Sequence, residues 1–233
     1  MISVTVLTRD SSRFLREVLN ALESFDEILI YDNGSKDNTL EIASSFSNVT
    51  LHKGEFLGFG PSHNHASQLA RNDWIFSIDS DEIVTPELVN EISKIKLMQG
   101  KVYSFNRHNY YNGKLIKWCG WYPDRVIRLY NRKDTEFTES QVHETVSLRN
   151  VHHIPLSGAI IHYSYSSVSE FIAKMQSYSE LFAVQNTGIK STSITKAIGS
   201  SIFTFIKCFI IKKGFLGGYE GLLISAYMAN TAL

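Results

Sequence analysis

The densest chemical cluster in this sequence is Asp79-Ser80-Asp81-Glu82, three carboxylates around one hydroxyl. Carboxylates two residues apart at the end of a strand can both face one hard cation, which prefers oxygen ligands and keeps substrate phosphates in its remaining positions. The competing reading is a solvated acidic turn. A second polar cluster, Asp32-Asn33-Gly34-Ser35, can bond a ribose or a base edge, or can form no more than an Asx-turn. A third, Thr8-Arg9-Asp10, completes the set.

Each cluster follows an apolar run that reads as a strand: Ile2 to Leu7, Glu27 to Tyr31, and Trp74 to Ile78. Between them, Phe14, Leu15, Val18, Leu19 and Leu22 recur at helical spacing. Leu40 to Phe46 predicts a short helix and Val49 to His52 a further strand. A bend at Gly58 and Gly60 leads into a helix around Asn64 to Ala70, and Thr85-Pro86 supplies an N-cap with a first-turn proline. Strands alternating with short helices imply a parallel, doubly wound sheet, in which ligands bind beyond the carboxyl ends of the strands. The three clusters are then expected on one edge.

Past residue 100 the pattern changes. Asn112-Gly113 between two strand-like runs predicts a hairpin. Arg125 to Tyr130 and Ala159 to His162 read as further strands, and from Val168 the chain reads as helical. The stretch from Ile194 is apolar on nearly every face, with lysines at 207, 212 and 213. That pattern suits a helix lying in a membrane interface or, equally, core packing.

Composition narrows the function classes. With 23 Lys+Arg against 23 Asp+Glu in 233 residues, the chain has no basic field for generic nucleic-acid binding. Two cysteines make no disulfide framework and fit a reducing compartment. The opening MISVTVLTRD reads as a strand and not as a leader, and no stretch of 18 uncharged apolar residues predicts a simple transmembrane helix. These features point to a cytoplasmic enzyme.

The motifs also carry a resemblance. SVTVLTRDSSRFLREVLNAL, EILIYDNGSKDNTLEIA and GFGPSHNHASQLARNDWIFSIDSDE resemble the nucleotide-sugar half of family 2 glycosyltransferases with the GT-A fold. WYPDRVIRLYNR, QVHE, IIHYSY and KKGFLGGYEGLL resemble a narrower group, the bacterial lipopolysaccharide-core β-glucosyltransferases. There are two departures from the pattern: Asn33 stands where the family has a second Asp, and Pro61, Ser62 and His63 stand where many members carry Arg or Lys.

The resemblance implies a GT-A mixed α/β sheet with helices on both faces, over residues 1–165, followed by a helical appendage, 166–233. The nucleotide-sugar half would cover about 1–100 and the acceptor half about 101–165. It implies Mg²⁺ or Mn²⁺ held by Asp79 and Asp81, with His162 as a further ligand, and a donor site of Thr8, Arg9, Asp32, Asn33, Ser35, Asn64, Asp79 and Ser80. The donor would be a nucleoside diphosphate sugar, with UDP expected. A hexose, with glucose expected, would pass with inversion to a lipopolysaccharide-core or other lipid-linked glycan. Such a transfer needs one base for the acceptor hydroxyl. Glu144 is assigned that role, with His143 and Asp124 as rivals and an ion pair to Arg125 or Arg128 as the structural alternative. Trp118, Trp121, Tyr122 and Arg125 are the acceptor candidates, the aromatics being equally suited to a buried cluster. The apolar tail would hold the enzyme peripherally on the cytoplasmic face of the inner membrane. A metal-dependent nucleotidyltransferase is the alternative enzyme, though Thr8-Arg9-Asp10-Ser11-Ser12 makes a poor phosphate loop for one; an inactive saccharide- or membrane-binding module is the non-enzymatic alternative.

Overall fold

The computed structural model describes residues 1–139, 144–165, 167–186 and 193–232. By its contacts the chain forms two compact units, Met1–Arg107 with Arg125–His162, and His108–Asp124 with Tyr163–Leu233. The second unit thus takes in the 108–124 hairpin as well as the helices expected after residue 165.

In the first unit, β1 (Ile2–Thr8), β2 (Glu27–Asp32), β3 (Val49–Lys53) and β4 (Trp74–Asp79) are parallel, in the order β3-β2-β1-β4. β5 (Glu82–Val84), β6 (Lys101–Tyr111), β8 (Arg125–Asn131) and β9 (His152–Tyr165) extend the sheet past β4 in the order β8-β6-β9-β5. The two-residue β7 (Lys114–Leu115) pairs only with β6. The antiparallel pairing of β8 on β4 and of β5 on β9 makes the sheet mixed.

The central strands are buried on both faces, which is why they read as continuous apolar runs. Val4, Val6, Ile28, Ile30, Phe76 and Ile78 point to one face and pack with Leu15, Val18 and Leu19 of α1 (Leu15–Ala21), Ala43 of α2 (Thr39–Ser44), and Leu88 and Ile92 of α4 (Pro86–Lys94). Leu29, Tyr31 and Ile75 point to the other, against Ala66 of α3 (Phe59–Leu69). Thr85 caps α4 as its sequence predicts, accepting the Leu88 N–H at 3.3 Å. α3 begins five residues earlier than expected. Gly58, at φ 98°, supplies the left-handed step before Phe59, and a Cβ on Gly60 would lie 2.0 Å from the Thr138 carbonyl oxygen, so that turn of helix needs glycine. β5 had no signal in the sequence, because three residues straight after the acidic turn show no periodicity.

In the second unit, Asn112 and Gly113 both take positive φ, 50° and 73°, as the predicted hairpin turn requires. Tyr111, Ile116, Cys119, Phe171, Met175, Cys208 and Ile224 form its core. Its helices are α5 (Val168–Asn186), α6 (Ile194–Ile206), which runs on into a π-helical turn (Lys207–Ile211), and α7 (Gly218–Thr231). Residues 194–211 form one helix long and apolar enough, by length and composition, to cross a membrane. Lys196 and Lys207 interrupt the apolar run in sequence without breaking the helix.

Candidate functional site

Parallel register brings the three polar clusters to one edge: Thr8 lies beside Asp32, and Leu7 beside Asp79. Side chains then stitch the loops together. Thr8 Oγ1 donates to Asp32 Oδ1 at 3.0 Å, the Asp10 N–H donates to Ser35 Oγ at 2.9 Å, and Ser80 Oγ bonds Ser11 Oγ at 2.9 Å. Asp32 also accepts the N–H groups of Gly34 and Ser35 and the Ser35 hydroxyl. Burial pushes its carboxyl up, but these hydrogen bonds outweigh that and hold it below its ordinary value. Asn33 turns its amide onto the carbonyls of Gly54 and Glu55, 3.3 Å each. Arg9 is exposed at the mouth of this edge.

The Asp79–Glu82 turn is wired from beneath. Glu82 is fully buried, and its carboxylate accepts the Asp79 N–H at 3.1 Å, Arg107 at 3.2 Å and Arg128 at 3.0 Å. Arg128 bonds Asp79 as well. Burial works against the Arg128 charge, yet Asp79 and Glu82 raise its pKa; burial likewise opposes ionisation of Asp79, and Arg128 with its neighbours lowers it. The two carboxylates are thus matched by two arginines. Sequence reasoning missed this role for Arg128, although an arginine inside the apolar run Val126 to Tyr130 signals a buried partner.

His63 is the second residue missed. It is buried, Nδ1 lies 3.0 Å from Ser77 Oγ, Nε2 lies 3.7 Å from Asp79 Oδ1, and its ring stacks on Phe137 at 4.5 Å. Burial pulls its pKa down to about 4, so the imidazole is neutral at pH 7. Arg128 reaches the same Asp79 carboxylate from β8.

Asp81 and His162 meet at the rim, Oδ2 to Nε2 3.5 Å, because antiparallel pairing sets His162 opposite Glu82. An oxygen and a nitrogen donor side by side fit one divalent cation. Among the described residues no group of three or more such side chains gathers around one point. The chain would then supply two ligands and leave the rest to substrate or water, as Mg²⁺ sites on phosphate substrates usually do. Asp79, also expected as a ligand, bonds Arg128 through Oδ2.

The remaining candidates separate. Both ends of the Asn64 amide hold the Phe137 peptide, at 3.0 and 2.8 Å. Arg125 Nη1 bonds Ser104 and the Leu156 carbonyl, and so staples strands. Glu144 is half-buried, two residues before Val146, which bridges to Phe137. His143 lies outside the described residues. In the second unit, Asp124 accepts Asn109 Nδ2 at 2.8 Å. Trp121 packs on Tyr165 and Phe171, the buried-cluster alternative for that residue, whereas Tyr122 is exposed and Trp118 half-buried.

A parallel half ending in an Asp-x-Asp turn, joined to an antiparallel half, is the GT-A glycosyltransferase architecture. Residues 3–151 match the family model Glycosyl transferase family 2, and the chain belongs to that family. It is 29% identical to an uncharacterized glycosyltransferase of Rickettsia typhi over 98% of this chain and 82% of the relative. It is 24% identical to the lipopolysaccharide core biosynthesis glycosyltransferase LpsC of Rhizobium meliloti, over 79% of this chain and 71% of the relative. The fold is similar to that of S. aureus TarS 1-349 in complex with UDP-GlcNAc, with TM-score 0.51 and 16% identity over 94% of this chain and 76% of that one.

Proposed function

We propose that this glycosyltransferase moves a hexose, with glucose expected, from a UDP-sugar to a lipopolysaccharide-core or related lipid-linked glycan, with inversion at C1. The observation that carries this reading is the Asp81–His162 pair, Oδ2 to Nε2 3.5 Å, on the turn that ends the last parallel strand. The similarity to a TarS structure holding UDP-GlcNAc supports the donor, and the similarity to LpsC supports the acceptor class.

Asp81 and His162 would hold Mg²⁺ or Mn²⁺, which when bound stabilises the charge on the departing diphosphate. Thr8, Asp32, Asn33 and Ser35 shape the nucleoside end of the edge, with Arg9 and Ser80 at its mouth. Glu144 takes the acceptor hydroxyl proton as the new C1–O bond forms and the bond from C1 to the diphosphate breaks; Asp124 and His143 remain the rivals. Val146, two residues after Glu144, bridges to Phe137, whose ring stacks on His63, and this supports the assignment. The exposed apolar helix 194–211 would hold the protein peripherally at the cytoplasmic face of the inner membrane.

The test is a panel of nucleotide sugars scored for thermal stabilisation and slow donor hydrolysis, with and without Mn²⁺. Stabilisation by a UDP-hexose that needs the metal is expected. Stabilisation by nucleoside triphosphates alone would favour nucleotidyl transfer instead.

A further inference from the structure

Within the second unit, Lys117, Trp118, Gly120, Tyr122, Ile211, Lys212 and Lys213 line an open cleft of about 350 Å³, the size of a small-ligand site. Three of these residues are lysines and none is acidic. The nearby carboxylate of Glu220 is spent on Lys114, 3.0 Å away, and Lys114 also sits over the Trp118 ring at 5.9 Å. With three lysines and no carboxylate in its lining, the cleft favours an anionic ligand.

The cleft is also built, not a chance fold of the surface. Its two walls are pinned to each other: the Cys119 N–H donates to the Lys212 carbonyl at 3.0 Å, and Cys208 Sγ donates to the Cys119 carbonyl at 3.4 Å. The backbone turns through left-handed conformations at Cys119, Gly120 and Lys213 (φ 59°, 81° and 56°) to place the lysines. A Cβ on Gly120 would stand 2.2 Å from Lys212 Nζ, so glycine at this point lets that ammonium group lie along the loop. Trp118 and Tyr122 add aromatic surface beside the charges.

We propose that this cleft binds a phosphate-bearing sugar, the phosphate among Lys117, Lys212 and Lys213 and the ring against Trp118 and Tyr122. Lysine binds phosphate as a point charge, and aromatic rings offer the apolar faces of a sugar ring a surface. The inference deepens the glycosyl-transfer reading, on which it rests, by making the acceptor a phosphorylated glycan. The same phosphate chemistry could come from a phospholipid headgroup, since Ile211 both lines the cleft and ends the exposed apolar helix.

Calorimetry on the full chain tests it, with glucose 6-phosphate, glucose, inorganic phosphate and UDP-glucose with Mn²⁺ as separate titrants. Flotation on phosphatidylglycerol vesicles is the parallel arm. Glucose 6-phosphate should bind at least about tenfold more tightly than glucose or inorganic phosphate and weaken with salt. Lys212→Gln and the pair Lys117→Gln/Lys213→Gln should each cost about tenfold, the size of one charge-assisted hydrogen bond, with unchanged melting temperature and UDP-glucose affinity. Equal binding of glucose and glucose 6-phosphate, or unaltered binding by these variants, overturns the proposal. Loss of vesicle binding by the variants with glucose 6-phosphate affinity intact also overturns it, in favour of a headgroup site. Failure of UDP-glucose alone to bind would sink the glycosyl-transfer reading and leave the cleft standing.

Discussion

Asn64 and Phe137 form a two-point clasp: the Asn64 amide donates to the Phe137 carbonyl at 3.0 Å and accepts its N–H at 2.8 Å. The clasp holds Phe137, whose bridge partner Val146 lies two residues after Glu144. Asn64→Ala should therefore cost about 1–3 kcal/mol by stranding the Phe137 peptide. It should lower turnover while donor affinity stays within about threefold. Melting temperature, donor calorimetry and transfer rate on one preparation check this; a variant that lost donor affinity alone would return Asn64 to the donor site.

Metal dependence follows from the Asp81–His162 pair. UDP should bind at least about tenfold more tightly with Mn²⁺ than in EDTA, a difference of about 1.4 kcal/mol. Asp81→Asn and His162→Gln should each remove most of that gain. Equal affinity in both conditions would leave the pair a structural contact.

The buried His63 gives a pH signature. Its folded pKa, about 4, lies below the ordinary value of 6.5, so between these limits the unfolded chain binds a proton that the native chain does not. Stability is then fully present above about pH 6.5 and falls as pH drops toward 4, by at most about 3 kcal/mol. Urea unfolding in EDTA should show this slope in the wild type and a flatter one in His63→Gln. Parallel profiles for the two proteins would mean that His63 titrates normally.

Much of the donor edge was legible because its logic is local. A strand ends, a polar cluster follows, and parallel pairing aligns Thr8 with Asp32 and Leu7 with Asp79. The Asn112-Gly113 turn was legible for the same reason. What the sequence hid is long-range. Nothing near Asp79 announces Arg128, 49 residues away, and nothing near Asn64 announces Phe137. His63 read as a gap in a basic pattern, and only the fold shows that it and Arg128 meet at Asp79. Trp121 and Trp118 are three residues apart and both pack on the second unit's core, and packing alone decides that Trp121 stacks on Phe171 while Trp118 also lines the cleft.

Membrane affinity is expected to reside in the 194–211 helix. Ile202 and Phe203 are 57% and 61% exposed, more apolar surface than a solvent-facing helix normally shows. Ile202→Asp/Phe203→Asp in the full chain should abolish flotation on anionic vesicles without lowering the melting temperature. Wild-type binding should weaken with salt, because Lys207, Lys212 and Lys213 add screened attraction. Undiminished flotation of the double variant would place the membrane contact elsewhere.

The base is tested by separating charge from shape. Glu144→Gln keeps the side chain's size and hydrogen bonding but cannot accept the acceptor proton. Donor binding should survive, and turnover should fall roughly 10²–10⁴-fold, the usual loss for a positioned general base. His143→Ala and Asp124→Asn discriminate the rivals. Asp124 already accepts an Asn109 hydrogen bond at 2.8 Å, so Asp124→Asn should disturb the melting temperature of the second unit more than it disturbs chemistry. If Glu144 instead serves only an ion pair, Glu144→Gln will lower the melting temperature and leave sugar transfer nearly intact. Because Val146 and Phe137 pair through their backbones, that bridge should persist in the variant, and a fall in rate at unchanged melting temperature can then be assigned to the proton. A fully active Glu144→Gln enzyme would move the base to whichever of His143→Ala and Asp124→Asn is the more damaged.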